Sequence, residues 1–127
     1  MNLQTGIKGK HVWTVTSELT ADKVGSGSVQ VFATPMMVAL IEKTCLLSVA
    51  SCLEEGQGTV GTHINVSHTA ATPVGMAVTA ECELVEIDRR RLVFKVSVHD
   101  ERGPVGEGTH ERFIIDIQKF QAKTDGK

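Results

Sequence analysis

Apolar and polar residues alternate in several segments of this chain and become almost continuously apolar in one. Residues 10–18 alternate with the two-residue period of a strand. Between Thr34 and Gly56 nearly every position is apolar, which predicts one long helix surrounded by protein. Thr34 is placed to N-cap this helix, Pro35 to occupy its first turn and Gly56 to follow its last turn.

The rest of the chain alternates again and predicts four antiparallel strands. They lie in residues 59–71, 77–87 and 92–98 and in a last segment that ends at Ile117. In the first of these, the two-residue period puts five residues on one face: Val60, Thr62, Ile64, Val66 and His68. Residues 22–28 predict a loop, and residues 118–127 predict a frayed tail.

One long helix with one strand before it and four after it is an α+β layout. A strongly curved antiparallel sheet wrapped around the helix, as in the hot-dog fold, covers the helix economically, whereas an open sheet leaves an apolar helix face bare. We expect a single domain over residues 1–127. Pairing of two chains would cover the remaining sheet edge and helix surface, so a homodimer is expected.

Composition narrows the classes of function. With 41% hydrophobic residues and a formal charge of −2, the chain is neither disordered nor basic, and no nucleic-acid partner is expected. Glu42 and Lys43 interrupt the longest apolar run, and the N-terminus lacks a signal-like apolar segment, so we expect no membrane and a cytoplasmic location. The three cysteines form no CxxC pair. Cys45 and Cys52 are better read as core thiols than as metal or redox ligands.

Two polar residues stand where apolar ones are expected. Glu42 lies in the apolar helix, and His68 lies on the apolar face of the strand that follows. Desolvating a carboxylate or an imidazole is costly, so such groups are typical of sites that use their proton chemistry. Each also has a structural interpretation. Glu42 could face a solvent gap or a partner's lysine, and a lone histidine is more often structural than catalytic.

Several runs resemble the fluoroacetyl-CoA-type thioesterases of the hot-dog superfamily. They are Val31-Phe32-Ala33-Thr34 through Glu42, Gly61-Thr62, His68-Thr69-Ala70-Ala71-Thr72-Pro73, Arg90-Arg91-Leu92, Val98-His99-Asp100, Gly108-Thr109-His110-Glu111-Arg112 and Lys119-Phe120-Gln121-Ala122-Lys123. The histidine run and the Gly-Thr-His-Glu-Arg run are the specific ones. One departure concerns the segment before Thr34, which forms a lid in that family and is shorter here, so the resemblance implies thioesterase activity more than fluoroacetyl selectivity.

The resemblance implies a catalytic set of Thr34, Glu42 and His68, with Gly61 and Arg112 binding the substrate. Thr34 would orient Glu42 or bond to the substrate, although eight residues of helix separate them by about 12 Å. At that distance the two residues need not touch within one subunit, and a site built across a dimer interface is an open alternative. Without the resemblance, Thr34 is explained as a helix cap and Arg112 as a surface cation. His63, His99 and His110 are expected to be structural.

These observations favour an enzyme that hydrolyses a small acyl-CoA without metal or cofactor, coenzyme A entering only with the substrate. Glu42 would act as nucleophile or base and His68 as general acid–base. Arg89, Arg90 and Arg91 form the densest cation cluster and are candidates to meet the coenzyme A phosphates. The alternatives are a hot-dog hydratase or dehydratase and a non-catalytic module that binds acyl-CoA or another small ligand.

Overall fold

The computed structural model describes residues 2–127, most of which form an antiparallel five-stranded sheet and one long helix. The strands are β1 (Lys8–Thr14), β2 (Gln57–His68), β3 (Ala77–Asp88), β4 (Arg91–Asp100) and β5 (Pro104–Asp116). The helices are α1 (Ala21–Val24), α2 (Thr34–Val49) and α3 (Ile117–Asp125), with 3₁₀ turns at Ser17–Leu19 and Ala50–Cys52. The predicted α+β architecture is confirmed.

The strand order β1-β3-β4-β5-β2 places β1 and β2 at the two edges of the sheet. Alternate residues of β3 and β4 point towards α2 and are buried, because a strand presents every second side chain to the same face. The largest members of this core are Phe32, Met37, Leu40, Ile41, Leu84, Leu92 and Phe94. Helix α2 packs chiefly on β1 and β3, so the helix covers the part of the sheet near the β2 edge less completely.

Only one side of α2 is buried, which corrects the prediction that protein surrounds the helix. Met37, Leu40 and Ile41 are fully buried against the sheet. On the other side Leu46 is 39% exposed and Leu47 is 51% exposed. By length and composition, residues Thr34–Cys52 would also suit a membrane span, a test that the core helix of a soluble protein passes as well. The apolar outer side of α2 therefore remains available for another surface.

A β-bulge divides the inner face of β2. Between Gly61 and His63 the pairing with β5 shifts by one residue, so Thr62 is the extra residue of the bulge. Gly61 lies opposite Arg112, and on the other side of the bulge His68 lies opposite Gly106. The prediction that Val60 and Thr62 share a face with His68 was therefore wrong. On that side of the bulge Gly61 lies on the inner face instead. Val60 instead pairs with Phe113, which is exposed on the outer face.

The ends of the predicted elements also differ from the structure. Ala33, not Thr34, is the N-cap of α2, and α2 and its 3₁₀ extension end before Gly56. Gly56 has a left-handed φ of 84°, but it serves the turn into β2. The predicted loop at residues 22–28 contains most of α1, and most of the predicted tail is α3, whose N-cap Asp116 accepts a hydrogen bond from Lys119 N.

Candidate active site

Glu42, Gly61 and Arg112 meet where α2 crosses the inner face of β2 and β5. Oε2 of Glu42 lies 3.7 Å from Nη1 of Arg112. A β-carbon built on Gly61 would lie 2.6 Å from the same Oε2, so the carboxylate sits directly over the backbone of β2. A cavity of about 230 Å³ opens here, lined by Glu42, Gly61, Thr62, His63, Ile64 and His110. This group of residues brings together three of the five predicted site residues.

The Glu42 side chain is 43% exposed, whereas that of Arg112 is 6% exposed. The sequence predicted a carboxylate desolvated by an apolar helix, and in the single chain this is wrong. The exposed part lies beside the edge strand β2, where the cavity opens. A carboxylate in this position is accessible to a substrate and is not consumed by a tight ion pair, since 3.7 Å exceeds the usual hydrogen-bond length.

Arg112 is held by Thr59, which the sequence did not single out, and by His110, which the sequence predicted to be structural. Its Nε donates to Oγ1 of Thr59 at 2.8 Å, and its Nη2 donates to the Thr59 carbonyl at 2.9 Å. Its Nη1 lies 3.1 Å from Nε2 of His110. Burial lowers the pKa of Arg112, with Glu42 acting in the opposite direction, but a guanidinium still stays charged at neutral pH. The result is a fixed cation beside the Glu42 carboxylate.

Thr34 and His68 form a second group at the N-terminus of α2. Oγ1 of Thr34 lies 2.7 Å from Nδ1 of His68. The Thr34 hydroxyl therefore bonds to the imidazole of His68 and does not orient Glu42, which was one of the two roles that the resemblance implied. A cavity of about 270 Å³ adjoins the pair, lined by Ala21, Ser26, Val31, Phe32, Thr34, His68, Thr69, Ala70 and Ala71. Thr34 orients His68 next to this cavity.

The other ring nitrogen of His68, Nε2, is buried and has no hydrogen-bond partner among residues 2–127. Desolvation lowers the pKa of His68, and the backbone of Ala70 opposes this change more weakly. The ring is thus neutral at physiological pH, since the ordinary value is already near 6.5. With Nδ1 bonded to Thr34, Nε2 is the ring nitrogen that is left without a hydrogen-bond partner within residues 2–127.

The two groups are separate within one chain. Thr34 and Glu42 stand eight residues apart on α2, which is about 12 Å along the axis. Gly61 and His68 are separated along β2 by about 20 Å. The structure thus places the predicted residues in two half-sites, Thr34 with His68 and Glu42 with Gly61 and Arg112, on the same concave side of the sheet.

Comparison with known proteins extends this geometry. The family model described as fluoroacetyl-CoA-specific thioesterase matches residues 15–118. The chain belongs to this thioesterase family. It is 49% identical over 98 residues to the fluoroacetyl-CoA thioesterase of Streptantibioticus cattleyicolor, a match that covers 77% of this chain and 70% of that protein. The resemblance inferred from the sequence runs is confirmed.

Comparison with solved structures shows that this chain has the hot-dog fold. A structure of the fluoroacetyl-CoA thioesterase superposes with a TM-score of 0.95 at 39% identity, covering 100% of this chain and 98% of that one. A thioesterase superfamily member from Thermus thermophilus gives 0.88 at 25% identity, covering 96% and 90%. A hot-dog-like protein from Thermanaerovibrio acidaminovorans, 20% identical, gives 0.87 over 96% and 90%. The fold prediction is confirmed.

The arginine cluster proposed for coenzyme A phosphates is largely engaged by residues of its own β3–β4 hairpin and of the adjoining strand β5. Arg91 pairs with Glu86 and Glu111 at 3.0 and 2.8 Å. Arg89 pairs with Asp88, and Arg90 donates to the Ile114 carbonyl. Arg89 and Arg90 nevertheless keep exposed surface beside a cavity of about 510 Å³ that Phe113 also lines. A role for these arginines in binding coenzyme A stays a prediction.

Cysteines and metal ligands do not contribute to either half-site. Cys45 and Cys82 are buried between α2 and β3, and Cys52 lies apart in the 3₁₀ turn. The neighbouring Cys82 thiol and burial raise the pKa of the Cys45 thiol. Within residues 2–127, no three His, Cys, Asp or Glu side chains are grouped as metal ligands.

Proposed function

We propose that this protein hydrolyses acyl-CoA thioesters. The observation that carries the proposal is the pair of half-sites, a carboxylate held beside a fixed guanidinium and a neutral imidazole held by a threonine, in a chain of the fluoroacetyl-CoA-specific thioesterase family. Water and the thioester supply all the atoms of this reaction, so no metal or cofactor is required. Coenzyme A takes part only as the substrate's leaving group, and we expect a cytoplasmic protein.

In the proposed reaction Glu42 acts on the thioester carbonyl carbon. Its carboxylate either attacks that carbon, breaking the carbon–sulfur bond and leaving an anhydride for water to hydrolyse, or removes a proton from a water that attacks. Arg112, 3.7 Å away, places a fixed positive charge beside the carboxylate without forming a close hydrogen bond. Both routes end in a free carboxylic acid and coenzyme A thiol.

His68 transfers the proton that the leaving group needs. In the covalent route coenzyme A leaves as the thiolate, and neutral His68 then accepts a proton at Nε2 from the water that hydrolyses the anhydride and passes it to the thiolate. In the other route Glu42 takes one proton of the attacking water, and His68 takes the remaining hydroxyl proton of the tetrahedral intermediate and passes it to the departing thiolate. This role requires the hydrogen of the resting ring to be on Nδ1, and the Thr34 hydroxyl accepts it at 2.7 Å. The N-terminal end of α2 adds a positive field that favours negative charge on the carbonyl oxygen.

We infer that the working unit is a homodimer joined through β2. This strand is an edge of the sheet, and residues 61–65 of it are exposed in the single chain. Ile64 is 38% exposed there, and the bare side of α2 presents Leu46 and Leu47. Unpaired edge strands and apolar patches of this kind are typical of surfaces that a second copy covers. Such pairing would also shield the exposed part of Glu42.

Two-fold symmetry supports a site shared between the chains. If β2 pairs with a second copy of itself in the antiparallel direction, residues equidistant from the two-fold axis face each other. An axis through Asn65 pairs His63 with Ser67 of the second copy, and because Thr62 is the extra residue of the bulge, Gly61 then lies opposite His68 of the second copy. The Thr34–His68 half-site of each chain would then face the Glu42–Arg112 half-site of the other. This arrangement removes the separation seen within one chain.

Release of free coenzyme A thiol from acetyl-, fluoroacetyl-, medium-chain and aromatic acyl-CoA tests the function. We expect turnover of at least one thioester, reduced by a factor of about 10² or more in Glu42→Gln and in His68→Gln. Glu55→Gln, which changes an exposed carboxylate in the turn before β2, is the matched control and should retain activity. The most active thioester in the panel identifies the preferred acyl group.

A folded protein that is silent on the whole panel would contradict the proposed hydrolysis and favour the binding module. Turnover that persists in Glu42→Gln would instead keep the thioesterase and remove Glu42 from its mechanism. Conversion of enoyl-CoA to hydroxyacyl-CoA, without thiol release, would identify the hydratase.

A further inference from the structure

His110 lies between two structural features of the Glu42 half-site, the bulge of β2 and the guanidinium of Arg112. Its ring is 1% exposed and packs against Phe94, with ring centroids 6.5 Å apart. One edge of the ring faces the backbone of His63, immediately after the bulge. The other edge faces Arg112. A β-carbon on Gly61 would lie 3.2 Å from Cε1 of His110, so the ring also borders the backbone beneath Glu42.

The partners of the ring determine where its hydrogen lies. Nδ1 is 2.8 Å from the His63 carbonyl, which can only accept a hydrogen bond. Nδ1 therefore carries the hydrogen and donates it. Nε2 is 3.1 Å from Nη1 of Arg112, which can only donate. Nε2 is therefore the acceptor, and both contacts are satisfied by one tautomer of a neutral imidazole.

Charges around the ring favour the same state. Burial lowers the pKa of His110, and the adjacent Arg112 charge lowers it further, while the His63 carbonyl, Glu42 and Glu111 act in the opposite direction. A second proton on the ring would lie on Nε2 and point at the N–H of Arg112. Protonation would therefore break the hydrogen bond from Arg112 and bring two positive charges into contact.

Nη1 of Arg112 lies between two acceptors. Nε and Nη2 are tied to Thr59, and Nη1, which carries two hydrogens, faces both His110 and Glu42, so its position decides how close each contact is. It lies 3.1 Å from Nε2 of His110 and 3.7 Å from Oε2 of Glu42. A charge-assisted bond to a carboxylate is normally about 2.7–2.9 Å, so the observed contact with Glu42 is loose. The His110 acceptor accounts for this geometry.

We propose that His110 is a positioning residue that holds the bulge through Nδ1 and holds Arg112 back from Glu42 through Nε2. The first contact keeps Gly61 on the inner face, below the carboxylate. The second prevents Nη1 from closing on Oε2, an ion pair that would engage the lone pairs Glu42 needs for attack or proton abstraction. The inference rests on the proposed function for its effect on turnover, whereas the two hydrogen bonds can be tested without it.

The tautomer provides the first test. Long-range ¹⁵N–¹H correlation spectra of the wild-type protein, with His110→Gln for assignment, report which ring nitrogen carries the hydrogen. We expect the Nδ1–H form, neutral at pH 7 and still largely neutral below the ordinary histidine pKa of about 6.5. An Nε2–H form, or protonation near pH 6.5, would overturn the proposal.

Two substitutions separate the two contacts. Asn at position 110 places an amide near the position of Nδ1 and can still donate to His63, but it offers no acceptor to Arg112. Gln reaches the position of Nε2 and can accept from Arg112, but it loses the bond to His63. We expect His110→Asn to lower kcat about tenfold or more with little change in KM, and His110→Gln to retain most of the kcat.

His110→Gln should instead lose thermal stability relative to His110→Asn, because the bulge is no longer tied. Asn and Gln at His99, a half-buried histidine at the end of β4, are the matched controls. Equal losses of kcat in the two position-110 variants would show that the ring only fills space, which contradicts the proposal. If the wild type turns over no thioester, the proposed function fails, and the tautomer still decides whether His110 makes both contacts.

Discussion

Gly61 lies so close under Glu42 that a β-carbon at position 61 would be 2.6 Å from the carboxylate oxygen Oε2. Non-bonded carbon and oxygen atoms do not approach so closely, so any side chain here displaces the carboxylate. The same β-carbon would lie 3.4 Å from Nη1 of Arg112. The glycine is therefore required by the position of Glu42, since φ at this residue is not in the left-handed region.

We predict that Gly61→Ala reduces kcat/KM by a factor of about 10 to 10³, because Glu42 must move by part of an ångström from its reactive position. Stability should change by less than about 1.5 kcal/mol, since the half-exposed carboxylate can swing outward. Steady-state thiol release and urea unfolding measure the two effects. Gly126→Ala, where a β-carbon meets nothing closer than 3.5 Å, is the control. Full activity in Gly61→Ala would show that Glu42 need not occupy its observed position.

A second prediction concerns the bond between Thr34 and His68. Thr34→Val keeps the shape of the side chain but removes the acceptor for Nδ1–H, and we expect kcat to fall by a factor of about 5 to 30. Thr34→Ser keeps the hydroxyl and should retain most of the activity. Equal rates for Ser and Val would contradict the orienting role, and a larger loss in Thr34→Ser than in Thr34→Val would indicate that the methyl group matters more than the hydroxyl.

Arg112 is expected to contribute to stability as well as to the site. Arg112→Lys keeps the charge but cannot bond to both the side chain and the carbonyl of Thr59, so it should cost about 2–3 kcal/mol of unfolding free energy. Thr59→Val, which removes one of the two acceptors, should cost about 1 kcal/mol. Urea unfolding provides both numbers, and Arg102→Lys at an exposed turn is the control. Equal free energies of unfolding for Arg112→Lys and Arg102→Lys would contradict this prediction.

The pH dependence of stability has a defined sign. In the folded protein the pKa values of His68 and His110 lie below the ordinary histidine value, so the unfolded chain binds more protons below about pH 6.5. The free energy of unfolding should therefore fall as the pH is lowered from 7.5 to 5.5. Urea unfolding at fixed protein concentration tests this, and replacing both histidines with Gln should flatten the curve. Stability that rises on acidification in this range would contradict it.

Mixing two inactive variants tests whether the site is shared. In a heterodimer of Glu42→Gln and His68→Gln, one of the two sites receives Glu42 and His68 from different protomers and is intact. Random exchange should restore about a quarter of the wild-type activity, because half of the dimers are mixed and each has one functional site. Absence of recovery, with subunit exchange verified by mass spectrometry, would place the full site within one chain. Ile64→Asp, next to the proposed two-fold axis, should yield monomers.

The sequence was sufficient for the long helix α2 and for the five strands, and it pointed to Glu42 and His68, whereas α1 and α3 were missed. The apolar run after Pro35 and the alternating strands follow from local periodicity, which the chain displays in consecutive residues. Glu42 and His68 were recognisable because each breaks such a pattern. Thr34, Gly61 and Arg112 do not break a pattern, and only the family resemblance pointed to them, which is why their partners were assigned incorrectly or left open.

Tertiary structure decided how these residues are arranged. The bulge at Thr62 reverses the alternation of β2, and it arises from the pairing with β5, some fifty residues further along the chain, so no local pattern predicts it. The burial of His110 and the contacts of Arg112 with Thr59 depend on the same register. Thr34 resembles a cap in sequence, yet it bonds to His68 because folding brings β2 to the start of α2. Local periodicity thus determined what each segment is, and long-range strand pairing determined which side chains meet.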